Sequence, residues 1–152
     1  MMMFFVVRPQ RASRYYHLLR TIPGFGPIVA ACVLSCIGDP HRFAGRKSVI
    51  RLARLDLNAK RSGKRSDSAV AMISKRGNTS LRYSLYQASV IATIYDEHFR
   101  ELFTRYLSGR EKERGIKTKM RVKLAAKMLV IAWTMMKNET AFNPELLEAN
   151  MA

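Results

Sequence analysis

Along most of the chain the apolar residues return every three or four positions, the spacing that lines one face of an α-helix. Tyr15, Leu18, Leu19 and Ile22 predict a first short helix from Arg14. Pro23-Gly24-Phe25-Gly26 breaks it. Pro27, a favoured first-turn residue, opens a second helix through the apolar run Ile28 to Ile37, which stops at Gly38-Asp39-Pro40. A third, Arg46 to Leu55, turns Val49, Ile50, Leu52 and Ala53 inward and Arg46, Lys47, Arg51 and Arg54 outward. The period then lapses. Asn58 to Asn78 is rich in hydroxyls, glycines and cations, and it reads as a long connection with a short extended piece at Val70 to Ile73.

Periodicity resumes at Thr79, a suitable N-cap, with Leu81, Leu85, Ala88 and Ala92 on the inner face of a helix ending near Tyr95. Phe99, Leu102, Phe103 and Tyr106 mark a further helix, Asp96 to Leu107, stopped by Gly109. After a charged link, Arg110 to Lys119, the last helix runs from Met120 to Lys137 with Leu124, Met128, Ile131 and Met135 as its core stripe. Trp133 widens that stripe as packing. The fold class expected is all-α: a helical domain over 14–138 with a hairpin-like N-terminal part and one long basic loop between its third and fourth helices. A disordered leader, 1–13, and a loosely ordered tail, 139–152, flank it.

Charge changes this picture more than composition does. A chain of 152 residues, 48% of them hydrophobic, can bury the core of one domain. Its formal net charge of +16 makes the surface one that attracts a polyanion, and nucleic acid is the leading candidate. Cys32 and Cys36 are four apart on an apolar helix, while His17, His41 and His98 are scattered; the pattern reads as buried thiols and predicts no metal site. Ile22 to Ile37 is too short and too interrupted by proline and glycine to cross a bilayer. Met1 to Val7 is apolar, but its charges follow it, the wrong order for a secretory signal. A soluble cytoplasmic protein without membrane partners is expected.

Two segments carry candidate chemistry. In Ile22-Pro23-Gly24-Phe25-Gly26-Pro27, glycines that let backbone N–H groups approach phosphate precede a helix N-terminus with its partial positive charge. This looks like a helix-hairpin-helix, which grips a nucleic-acid backbone through Gly24 and Gly26 without reading sequence. A tight turn between packed helices would show the same residues. The second segment, Arg54 to Arg82, holds Arg61-Ser62-Gly63-Lys64-Arg65 and Ser74-Lys75-Arg76-Gly77-Asn78. A serine needs a base or charge neutralisation to act as a nucleophile, and Asp56 and Asp67 are the only acids in this stretch. A hydrolase triad is unsupported; cations around a hydroxyl suit phosphoryl transfer, where positioning and charge stabilisation dominate.

The ordered set Ile22 to Pro27, Ile37-Gly38-Asp39, Arg42-Phe43, Ala53-Arg54-Leu55-Asp56, Ser62-Gly63-Lys64, Ile73 to Asn78 and Leu81-Arg82 resembles a known domain. It is similar, over roughly Leu18 to Lys137, to the C-terminal domain of the Piv-like insertion-sequence transposases, which include DNA invertases and bridge-RNA-guided recombinases. The resemblance implies that Ser62 attacks a DNA phosphodiester to form a phosphoserine link. It implies that Gly63 keeps the turn open, and that Lys75, Arg76 and Arg82 hold phosphates or RNA. Arg61, Lys64, Arg65, Ser74, Gly77 and Asn78 complete the nucleic-acid contacts expected.

The chain departs from the family pattern at Arg54, where glycine is usual, at Leu57, where proline is usual, and at Ala71, where glycine is frequent. The resemblance also implies partners: DNA, a structured guide RNA, further copies of the chain, and a RuvC-like nuclease domain whose clustered carboxylates bind Mg2+. No such cluster precedes Leu18, so a truncated or partner-dependent prokaryotic protein, associated with the nucleoid, is expected. The reading from another class is a non-catalytic nucleic-acid-binding module built on the Pro23 to Pro27 hairpin.

Overall fold

The computed structural model describes residues 8–54 and 65–149. The described residues are helical throughout their regular structure: α1 (Pro9–Leu19), α2 (Pro27–Ile37), a 3-10 turn (Pro40–Arg42), α3 (Arg46–Ala53), α4 (Arg65–Tyr95), α5 (Glu97–Leu107), α6 (Ile116–Asn138) and α7 (Leu146–Ala149). The all-α class holds.

α6 is the axle. Leu124, Ala125, Met128, Leu129, Ile131, Ala132, Met135 and Met136 have no exposed surface and line nearly half of the helix, and Ile116, Met120, Val130 and Trp133, each at most 6% exposed, carry the burial round to the other side. A helix apolar on all sides has to be surrounded, and α1, α2, α3, α4, α5, α7 and the 3-10 turn all pack against this one. Each fully buried Leu or Met contributes about 1.5–3 kcal/mol of transfer free energy, so α6 is the largest single source of the fold's stability. The second half of α4 lies beside it, burying Leu81, Leu85, Ala88 and Ala92. α2 closes the other side of α4 with Ala30, Val33 and Ile37.

The 3-10 turn is pinned to the axle by one buried bond. Trp133 Nε1 donates to the Pro40 carbonyl at 2.7 Å, so the widest residue of the core stripe is also a polar tie. Around it the Gly38 to Phe43 corner is built from three devices. Gly38 takes a positive φ of 62°. The Asp39 carboxylate accepts from the His41 amide at 2.9 Å. Arg42 donates from Nε to the Ile37 carbonyl and from Nη2 to the Cys36 carbonyl, at 2.9 and 3.0 Å, which satisfies the last carbonyls of α2. Arg100 does the same for α4, donating to the Thr93 and Ile94 carbonyls.

α6 starts at Ile116, one turn before the expected Met120, and three further boundaries differ from the sequence reading. α1 starts at Pro9 rather than Arg14, with the proline in its first turn, so helix replaces the last part of the expected leader. α4 starts at Arg65 rather than near Thr79, which makes Val70 to Ile73 helical and not extended. The energetics account for this. Nucleating a helix is costly but lengthening one adds a hydrogen bond per residue fixed. The buried Leu81 to Ala92 face supplies the nucleus, and the single interior Gly77 costs only about 1 kcal/mol relative to alanine.

The third difference is the tail. Phe142 stacks on Phe99 with ring centres 5.8 Å apart, its amide donates to Thr21 Oγ1 at 2.9 Å, and Leu147 is buried. Residues 140–148 therefore close the bundle across α1 and α5.

A candidate nucleic-acid interface

The hairpin is anchored from below by Ile22 and Phe25, both buried, and closed by the Phe25 amide donating to the Ile22 carbonyl at 3.0 Å. Its two glycines do different things. Gly24 has φ +91°, and a Cβ built on it would stand 2.4 Å from the Ala88 carbonyl oxygen and 3.2 Å from the Ala92 amide nitrogen. It is the point where the turn meets the backbone of α4. Gly26 has nothing within 4 Å of where a Cβ would be and forms the N-cap of α2, with no side chain capping the first-turn amides. Pro27 follows, and Ile28 is 80% exposed. Of the pair, Gly26 has the open approach that a phosphate contact requires.

From Arg46 onward the cations gather. Arg46, Lys47 and Arg51 are exposed on α3, which packs against α4 and α6. α3 ends at Arg54, a non-glycine residue in the left-handed region at φ 54°, ψ 44°. Arg61, Ser62, Gly63 and Lys64 lie outside the described residues, as do Asp56 and Leu57. Arg65, Ser74, Lys75, Arg76, Gly77 and Asn78 lie on α4, so the basic motif is helical and continuous with the helix that fills the core. Ala71, a departure from the resemblance, is a helical position too. Arg82 is partly buried and donates from Nη2 to Thr79 Oγ1 at 3.4 Å; Thr79 sits inside the helix and not at its cap.

Several acidic side chains among the described residues have partners of their own. Asp39 caps the 3-10 turn, and Asp96 caps α5 by accepting from the Phe99 amide at 3.0 Å. Glu139 pairs with Arg14, Glu148 with Arg105 and Glu113 with Arg110, all at the surface. The hydrogen bonds from Arg110 and Arg105 hold the Glu113 and Glu148 carboxyls below the ordinary range. Among the described residues, no three His, Cys, Asp or Glu side chains converge on a point that could hold a metal.

The two cysteines are free thiols on α2. Burial, and secondarily the neighbouring Cys32, push the Cys36 thiol up to about 11, so it stays protonated and unreactive at neutral pH. No helix among the described residues is long and apolar enough to cross a membrane.

A sequence model of the Transposase IS116/IS110/IS902 family matches residues 16–104, from the middle of α1 through most of α5. The chain belongs to this family. No curated protein and no solved structure matches it. The match takes in the hairpin, the Gly38 to Phe43 corner, α3, the Ser62 segment and all of α4. It makes the chain an insertion-sequence transposase-related domain.

Arg54, one of the departures from the resemblance, has a left-handed backbone of the kind that glycine adopts without cost. Sequence reasoning missed the work of Arg42 and Arg100 as helix-end plugs, since a guanidinium aimed at carbonyls several residues away leaves no periodic trace.

Proposed function

We propose that this domain binds DNA through the cations of α3, the following connection and the first half of α4, and that Ser62 is the nucleophile of a recombination reaction. Arg46, Lys47, Arg51, Arg54, Lys60, Arg61, Lys64, Arg65, Lys75, Arg76 and Arg82 are opposed there by Asp56 and Asp67 alone. In the reaction proposed, Ser62 Oγ forms a bond to a backbone phosphorus and the bond from that phosphorus to a deoxyribose oxygen breaks. The hydroxyl proton passes to a base and the leaving oxygen takes one up. Cations at the phosphate neutralise the developing charge. A RuvC-like nuclease domain would supply the carboxylates and the Mg2+ they hold, because the described residues here supply no such cluster. A structured guide RNA would compete for the same cations.

The observation that carries this reading is the family match, which spans Ser62 together with the basic turns of α4. The test is to incubate the full chain, with and without a RuvC-like domain in trans, with duplex DNA and look for a protein–DNA adduct that survives denaturation. Ser62→Ala should abolish the adduct and leave DNA affinity within about twofold. An adduct that persists in Ser62→Ala removes the nucleophile assignment.

A second reading, a non-catalytic nucleic-acid-binding module, is favoured by the open Gly26 at the uncapped N-terminus of α2. It predicts DNA binding with no adduct under any condition.

A further inference from the structure

The second half of α4 carries apolar residues on a face that the fold leaves bare. α2, α3, α5 and α6 pack against this helix, and Leu81, Leu85, Ala88 and Ala92 are buried there. On the outer face Tyr83, Ile91, Ile94 and Tyr95 are 65%, 42%, 55% and 81% exposed, and Gln87 and Val90 are half-buried. No residue from Tyr83 to Tyr95 is charged, in a chain where 25% of residues are. α6, apolar on all sides, is surrounded. This half of α4 is uncharged on all sides and covered on one. A contiguous apolar stripe of this kind marks a contact surface.

The spacing of the stripe says what fits it. Tyr83, Gln87, Val90 and Ile94 recur at intervals of four, three and four residues, the alternation of a coiled-coil seam. Those intervals are the same read from either end. A second α4, turned end over end about a point between Ala88 and Ser89, therefore sets its Ile94 against Tyr83 and its Val90 against Gln87. A two-fold contact requires such self-complementarity. Ile91 flanks the seam on one side, with Tyr95 beyond it.

Charge selects the same occupant. Each copy carries a formal net charge of +16, so two copies repel wherever their cations meet. At the outer face of α4 they can touch without bringing cations together, while an acidic partner or a phosphate backbone finds no cation on it. Covering the two tyrosines and two isoleucines removes on the order of 500 Å² per copy and 1,000 Å² per pair, the lower limit of a specific interface and the size of a reversible one.

We propose that the outer face of α4, from Tyr83 to Ile94, is a homodimer interface in which two copies pack antiparallel about a two-fold axis. The proposal uses neither Ser62 nor DNA binding. One consequence does rest on the DNA reading above. The antiparallel pair carries its two Ser74 to Asn78 segments in opposite directions, about 30–40 Å apart along the paired helices, close to the spacing of one turn of duplex DNA.

The test measures the mass of the full chain by sedimentation equilibrium up to about 1 mM, where an interface of this size is populated. Beside it run Tyr83→Glu, Ile94→Lys and the double variant carrying both. All should keep the helical circular dichroism of the parent and melt within about 2 °C of it, since both positions are exposed.

The parent should form dimers, and more tightly as salt rises, because salt screens the repulsion between the copies. Each single variant should weaken dimerisation by at least about tenfold, since it buries a charge without a partner. The double variant should dimerise more tightly than either single one, because each new carboxylate then faces a new ammonium across the antiparallel seam. In a parallel pair like charges would meet instead, and the double variant would be the weakest of the three.

A parent that stays monomeric at every concentration, assembles beyond two copies or associates less as salt rises overturns the proposal. So do single variants that dimerise as the parent does, and a double variant weaker than both singles. A monomer that binds DNA removes this interface and leaves the DNA reading in place; a dimer that binds no DNA does the reverse.

Discussion

Replacing Gly24 by alanine tests the hairpin at the point where it meets the core. The added methyl would sit 2.4 Å from the Ala88 carbonyl oxygen, about 1 Å short of ordinary contact, and the obstacle is backbone that cannot rotate away. Relief requires the hairpin to lift off α4, and overpacking of this kind costs about 1–3 kcal/mol. A positive φ of 91° adds about 1–2 kcal/mol for a residue with a Cβ. The combined loss is about 2–5 kcal/mol, which for a domain near this size lowers the melting temperature by about 10 °C.

Gly26→Ala is the internal control. Its Cβ meets nothing within 4 Å, and the weaker N-cap and the reduced freedom of the unfolded chain offset each other to within about 0.5 kcal/mol. The assay is thermal unfolding by circular dichroism, with both variants beside the parent. A Gly24→Ala protein melting within about 2 °C of the parent, or a Gly26→Ala protein falling as far, would refute the assignment of Gly24 to packing.

Arg54→Gly should stabilise the fold by about 0.5–1 kcal/mol, or about 2 °C, because the left-handed strain removed exceeds the entropy glycine returns to the unfolded chain. A lower melting temperature would show that the interactions of the Arg54 side chain outweigh its backbone strain. Stability should also fall in alkali. Cys36 and Tyr106 have folded pKa values raised by burial, from 9.0 to about 11 and from 10.0 to about 12. The stability each contributes is therefore complete below its unfolded value and lost as pH rises through the folded one. Denaturant midpoints should be level below pH 9 and decline between pH 9 and 12, with Cys36→Ala delaying the onset towards pH 10. A decline that begins at the same pH in that variant would exclude the thiol.

The sequence was most legible where periodicity and burial are the same fact. Leu81, Leu85, Ala88 and Ala92, and the stripe from Leu124 to Met135, are buried as their spacing implies. It was least legible where a polar segment continues an apolar helix. Ser66 to Asn78 shows no apolar period to read, but the nucleus that makes it helical lies downstream at Leu81. The tail was opaque for the opposite reason: Phe142 and Leu147 are isolated apolar residues whose partners, Phe99 and the bundle end, are distant in sequence. At the candidate interface, residue types pointed to polyanion binding. The division of labour between Gly24 and Gly26 belongs to three-dimensional packing alone.

The unbroken run of α4 makes the direction of the basic motif a matter of angular phase. Each residue of an α-helix turns the chain by about 100°, so the steps from Asn78 to the buried Leu81 fix how the backbone of Ser74 to Asn78 is rotated relative to the core. Inserting one residue there would leave every cation in place in the sequence yet swing the whole motif about a quarter-turn around the helix axis. Inserting seven would return it to within about 20° of its original bearing, displaced along the axis by about 10 Å. Composition is thus free to drift along this stretch, while its length is held to whole turns.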